Sequence, residues 1–213
     1  MKRLRLFILC LSLGLMTQAA IYTPTSLPNP KAQDTRNYVC NPDGIVASSE
    51  VLFLNHLAQQ LEDSTGVELC VIAVNSIGEM DAFDFCYEVF QRWGIGKEGK
   101  NTGVLLFLAV ESREVRIMTG GGIEGILTDA VCHKIIQETM MSPLREAQYS
   151  DAMALGAMRI YEICTDGAIP EELRQMTSAT NRYHYADESE ENVWLELFYF
   201  VVSVFCGIIY MYL

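Results

Sequence analysis

The sequence predicts an α/β fold, a three-layer α/β/α sandwich with a mixed sheet, followed by a C-terminal transmembrane helix. Three observations carry this. Val67 to Val74 and Gly103 to Val110 are continuous apolar runs of strand length, as buried central strands require. Segments with apolar residues every three or four positions alternate with them, and helices alternating with strands imply a sheet covered by helices. The chain also closes on Val193 to Leu213, an apolar stretch with Glu196 as its one charge.

The elements follow in order. Ser48 is expected to cap a first helix whose positions Val51, Leu54, Leu57 and Leu61 share one face, with Gly66 ending it in the left-handed conformation. The strand from Val67 leads to a second helix, capped by Asp81, with Ala82, Cys86, Val89, Phe90 and Trp93 inward and Gly94 at its exit. After a loop from Gly94 to Thr102 and the strand from Gly103, the link Glu111-Ser112-Arg113 turns the chain into Glu114 to Thr119, read as a hairpin partner. Gly120 to Leu127 is a glycine-rich turn. Thr128 or Asp129 then caps a helix with Val131, Ile135 and Ile136 inward, and a last helix from about Pro143 or Ser150 carries Met153, Ala154, Ala157, Met158 and Tyr161.

The flanks divide the chain further. Lys2, Arg3 and Arg5 precede an apolar run from Leu6 to Met16 and small residues at Ala19 and Ala20, so residues 1–20 read as a secretory signal, with an uncleaved anchor as the alternative. Residues 21–36, with Pro24, Pro28 and Pro30, form an extended lead-in; 37–164 the folded domain; 165–192 an acidic tether; and 193–213 the span, at about 20 residues long enough to cross a bilayer, with a buried core helix as the alternative that its lack of a polar face disfavours. Basic residues at the start of the signal and Asp187, Glu188, Glu190 and Glu191 before the span are expected to put the domain on the extracytoplasmic, periplasmic side.

With 15 basic and 27 acidic residues, the net charge of −12 argues against sequence-independent nucleic-acid binding, which needs a basic surface to displace counterions. Cations or basic partners suit it better. Five of seven cysteines, Cys40, Cys70, Cys86, Cys132 and Cys164, lie between signal and anchor, unpaired in spacing; buried thiols are expected, with one or two disulfides as the alternative.

Gly120-Gly121-Gly122-Ile123-Glu124-Gly125 formally matches a dinucleotide-binding glycine pattern, but the following helix is capped only at Thr128 or Asp129, and Glu124 would repel a pyrophosphate. No nucleotide cofactor is expected. The turn does place carboxylates, Glu124 and Asp129, beside glycines that permit tight curvature and expose carbonyl oxygens, which suits a hard cation such as calcium. Asp43, in the turn Asn41-Pro42-Asp43-Gly44, is a candidate third ligand, against the alternatives of a turn residue at Asp43 and a helix cap at Asp129. His56, His133 and His184 stand in no metal-binding pair or triad context, and Lys97, Lys100 and Arg113 read as a solvated face or an anion contact.

Tyr38-Val39 with Asn41-Pro42-Asp43-Gly44-Ile45-Val46, Thr65-Gly66, Trp93-Gly94-Ile95-Gly96-Lys97, Gly103-Val104-Leu105-Leu106, Ser112-Arg113 and Thr119-Gly120 through Thr128-Asp129 follow in an order and spacing that resembles the TPM domain, in its membrane-anchored bacterial form. The resemblance spans the whole predicted domain. It implies an α/β module of exported proteins, commonly labelled a phosphatase and linked to divalent cations and to repair or assembly of membrane complexes. It also implies acidic metal-site roles for Asp43, Glu124 and Asp129 and an anion-binding or orienting role for Arg113. Where members often carry Asp-Asn-Gly, this chain has Asn101-Thr102-Gly103. The function expected is a divalent-cation-binding accessory, assembly or repair factor of a membrane complex, with a metal-assisted acid phosphatase acting on phosphomonoesters as the alternative.

Overall fold

A computed structural model describes residues 20–32, 34–96, 99–167, 170, 172 and 176. The expected signal (but for Ala20), most of the acidic tether and the expected span lie outside them, as do Lys97 and His184. Among the described residues no helix is long and apolar enough to cross a membrane.

The fold is α/β, a mixed four-stranded sheet flanked by helices. In chain order the elements are β1 (Val39–Cys40), α1 (Ser48–Thr65), β2 (Glu68–Val74), α2 (Ala82–Trp93), β3 (Gly103–Ala109), β4 (Glu114–Thr119), α3 (Asp129–Ile135), a π-helical turn (Ile136–Met140), α4 (Met141–Arg145) and α5 (Tyr149–Thr165). Strands lie in the order β1-β2-β3-β4, the first three parallel and β4 antiparallel.

Why β2 and β3 read as unbroken apolar runs is plain from the packing. Leu69, Val71, Ala73, Val104, Leu106 and Leu108 face one core with α1 and α5, while Cys70, Ile72, Val74, Leu105, Phe107 and Ala109 face a second core with α2. A strand buried on both sides has no polar face to alternate with. Both crossovers step across the sheet in the same direction, yet α1 and α2 lie on opposite faces. They are therefore of opposite hand, and one of them departs from the right-handed rule.

Local capping departs from expectation at α1. Its N-cap is Ala47, with no side-chain cap bond, and Ser48 is already helical. The Ala47 amide instead donates to Ser150 Oγ at 2.9 Å, tying α1 to α5. Asp81 caps α2 as expected, accepting the amides of Phe83 at 2.7 Å and Asp84 at 3.3 Å, and Gly66 and Gly94 close α1 and α2 at positive φ.

The lead-in lies against the sheet. Ile21 bridges Ser76 in parallel, Leu27 is buried in the α2-side core, and a 3-10 turn covers Pro30–Ala32. Lys31 then binds Glu68 at 2.8 Å and Glu62 at 3.4 Å, with its ammonium 4.3 Å from the centre of the Tyr38 ring.

Candidate functional site

The glycine-rich turn stands at the end of the sheet where the parallel strands begin. Thr119 pairs with Val104, the Gly120 amide donates to Gly103 O at 2.9 Å, and the Gly122 amide to Asn101 O at 3.0 Å. Side chains are excluded there: a Cβ on Gly120 would strike Asn101 O, and one on Gly122 would strike Lys100 O. Asn101 itself holds φ +51°. The loop is pinned from below by Ile123 and Leu127, both buried, which turns Glu124 to solvent.

Glu124, on this loop, and Asp129, at the start of α3, are both exposed, and neither carboxylate has a hydrogen bond or ion pair among the described residues. Asp129 is not the helix cap. That role falls to Thr128, whose hydroxyl accepts the Val131 amide at 3.3 Å, leaving the Asp129 carboxylate unused in the first turn of α3. The carbonyls of Gly121, Gly122, Glu124 and Gly125 likewise accept no backbone hydrogen bond among the described residues. These oxygens all lie within residues 121–129, in the loop and the first residue of α3.

Asp43 belongs to the opposite end. Its Oδ2 accepts the amide of Asn75, one residue past β2, at 2.7 Å, and its Oδ1 accepts the Tyr22 hydroxyl at 3.0 Å. Burial, then the adjacent Asp43 carboxylate, holds the Tyr22 hydroxyl above its ordinary pKa. Both Asp43 oxygens are thus committed to holding the lead-in and the end of β2 together. Tyr22 had no signal in the sequence beyond being one aromatic in a proline-rich stretch.

Arg113 shares the Asp43 end, in the tight turn after β3, with its amide donating to Val110 O at 3.2 Å. Seven residues of strand separate the two ends, about 20 Å at roughly 3.3 Å per residue. The expected convergence of Asp43 with Glu124 and Asp129 is therefore not formed, because antiparallel β4 returns the chain to the start of β3 while Asp43 sits beside the end of β2. Among the described residues no group of three or more His, Cys, Asp or Glu side chains is placed to hold a metal ion.

The described histidines, His56 and His133, are exposed on α1 and α3. Cys40, Cys70, Cys86, Cys132 and Cys164 are all free, four of them buried. Burial pushes the Cys132 thiol up to about 11 and those of Cys40, Cys86 and Cys164 to about 12, so none is a nucleophile at neutral pH.

Comparison with known proteins agrees with this architecture. The family model of the TPM domain matches residues 39–163. The solution structure of the N-terminal domain of a P. gingivalis protein superposes with a TM-score of 0.64 at 29% identity, covering 68% of this chain and 92% of that one. The N-terminal domain of the cg2496 protein from Corynebacterium glutamicum, at 16% identity and a TM-score of 0.51, covers 69% of this chain and 93% of that one, and shares the fold. No curated protein matches the sequence significantly. The chain belongs to the TPM domain family.

Proposed function

We propose that the protein is an exported, membrane-anchored accessory module, serving assembly or repair of a membrane complex, that binds a divalent cation such as calcium at its glycine loop. The observation that carries the cation reading is Glu124, on a loop clamped by Ile123 and Leu127, and Asp129, at the start of α3, with no partner for either carboxylate or for the bordering carbonyls among the described residues. Hard cations of this class take carboxylate and carbonyl oxygens in flexible geometry and complete their shell with water. Asp43 takes no part, since its oxygens are already engaged. The anchor reading rests on the apolar stretch 193–213, and the export reading on the signal-like first 20 residues.

Calcium titration of the full chain in nanodiscs, followed by thermal unfolding of the domain, tests the proposal. A ligand that binds only the native state raises Tm with concentration. The expected result is a rise for the wild type and for Asp43→Asn, and none for the Glu124→Gln, Asp129→Asn double variant. A wild type that does not respond at millimolar calcium overturns the cation reading.

A second reading, a phosphomonoester hydrolase, is favoured by one observation: Lys100 and Asn101 lie on the same end of the sheet, exposed beside the glycine loop. A cation there would supply Lewis-acid polarisation of a phosphoryl oxygen. Equal turnover of a generic phosphate ester by wild type and Asp129→Ala sinks it.

A further inference from the structure

Away from the glycine loop, a cleft of about 430 Å³ opens between the β3–β4 hairpin and the α4–α5 corner. Its walls are apolar, from Leu108, Val110 and Val115 on the sheet and Met141, Leu144 and Tyr149 on the helices. The two charged residues lining it are both basic, Arg113 and Arg145. Both are exposed, and neither has an ion pair among the described residues. In a chain with 27 acidic against 15 basic residues, two uncompensated guanidinium groups on one cleft run against the composition.

The backbone adds an independent observation. Arg113 and Ala147 hold φ +56° and +58°, two of the four non-glycine residues in the left-handed region among the described residues, and both line this cleft. Glycine would fill either position without steric cost. Sparsely populated backbone conformations cluster at ligand sites. The volume lies in the range of small-molecule sites, which combine apolar walls with a few convergent polar groups.

We propose that this cleft binds a small amphipathic anion, with an aryl or alkyl body against the apolar walls and a carboxylate or phosphate head held by Arg113 and Arg145. Guanidinium groups match both heads with paired N–H donors, and neither wall offers a competing acidic side chain. The site is distinct from the glycine loop and stands whether or not a cation binds there.

The test uses the full chain in nanodiscs, with empty nanodiscs as reference and saturation-transfer NMR as readout. The probes are 4-phenylbutanoate, 4-phenylbutyl phosphate and the neutral 4-phenylbutanamide. Expected is saturable binding of one or both anions at up to millimolar concentration, at least tenfold weaker binding of the amide, and at least tenfold loss in Arg145→Gln. The tighter of the two anions identifies the head group. Arg113→Gly separates folding from binding, since glycine relieves the left-handed backbone: its Tm should equal or exceed that of the wild type while anion binding falls at least tenfold. No anion binding by the wild type, amide binding as tight as the anions, or unchanged binding in either arginine variant overturns the proposal.

Discussion

Asp43 Oδ2 accepts the backbone N–H of Asn75 at 2.7 Å, across 32 residues of sequence. With Oδ1 taken by the Tyr22 hydroxyl, this one carboxylate joins the lead-in, the turn after β1 and the end of β2. Each contact involves a part-buried acceptor whose loss strands its donor.

Asp43→Ala is accordingly expected to destabilise the domain by about 2–3 kcal/mol, the cost of leaving an amide and a hydroxyl without their charged acceptor. Chemical denaturation reads this as a lower midpoint at unchanged slope. A loss below about 0.5 kcal/mol would mean that water replaces the carboxylate fully.

The glycines of the loop are not equivalent. Gly121→Ala meets no atom within 4 Å, whereas Gly122→Ala drives a methyl into Lys100 O. The first should lie within about 0.5 kcal/mol of wild type and the second should lose about 3 kcal/mol or more, because the obstacle is backbone and cannot rotate aside. Thermal melts of the two variants side by side decide it.

Thr128 and Asp129 separate cap from ligand. Thr128→Ala removes the hydroxyl that satisfies the Val131 amide and should cost about 1 kcal/mol. Asp129→Ala forfeits only a favourable charge near the start of α3, about 0.5 kcal/mol, yet should abolish any calcium-dependent rise in Tm. If both variants keep the calcium response, Asp129 is not a ligand.

Alkaline pH should weaken the fold. The thiols of Cys40, Cys86 and Cys164 are pushed from 9.0 to about 12 and that of Cys132 to about 11, and the Tyr38 hydroxyl, buried and donating to Glu62 at 2.9 Å, is raised as well. Each group holds its proton more tightly folded than unfolded, so the stabilisation is complete below pH 9 and is lost as pH rises from there towards 12. Denaturation midpoints measured across that window should fall steadily. Thiol labelling of the native protein at neutral pH should be slow, and fast once denaturant is added.

Much of the architecture was legible because burial on two faces leaves an unmistakable trace. The runs at β2 and β3, the Asp81 cap and the Gly66 and Gly94 exits all state local physics in local residues. Elements whose cause is distant were not legible. β1 is two residues long and exists only because β2 offers it an edge, and the π-helical turn at Ile136–Met140 shifts the helical period between α3 and α4. Ser48 looked like a cap, but Ser150 serves the Ala47 amide from another helix.

The candidate site divided along the same line. Glu124 and Asp129 are five residues apart in the chain, one in the loop and one at the start of α3, so local sequence keeps them at the same end of the sheet. Asp43 joins them only if the sheet puts the ends of its strands on one side. Reading Glu114 to Thr119 as a hairpin partner already implied that Gly120 returns to the start of β3; the direction of β1 against β2, which sends Asp43 the other way, is a long-range property. Arg113 stood out in the sequence as an anion contact, but Arg145 and the cleft it shares with Arg113 did not, since they depend on how the α4–α5 corner meets the hairpin.

The seat of residues 21–32 on the sheet carries a consequence for the order in which the chain is made. Synthesis runs from the N-terminus, so Tyr22, Leu27 and Lys31 exist before Asp43, α1, β2, Ser76 and α2, on which they come to rest. Until those arrive the segment has nowhere to dock. Its prolines at 24, 28 and 30 lack the amide that a stray strand would need, which keeps the waiting stretch from pairing with the wrong neighbour.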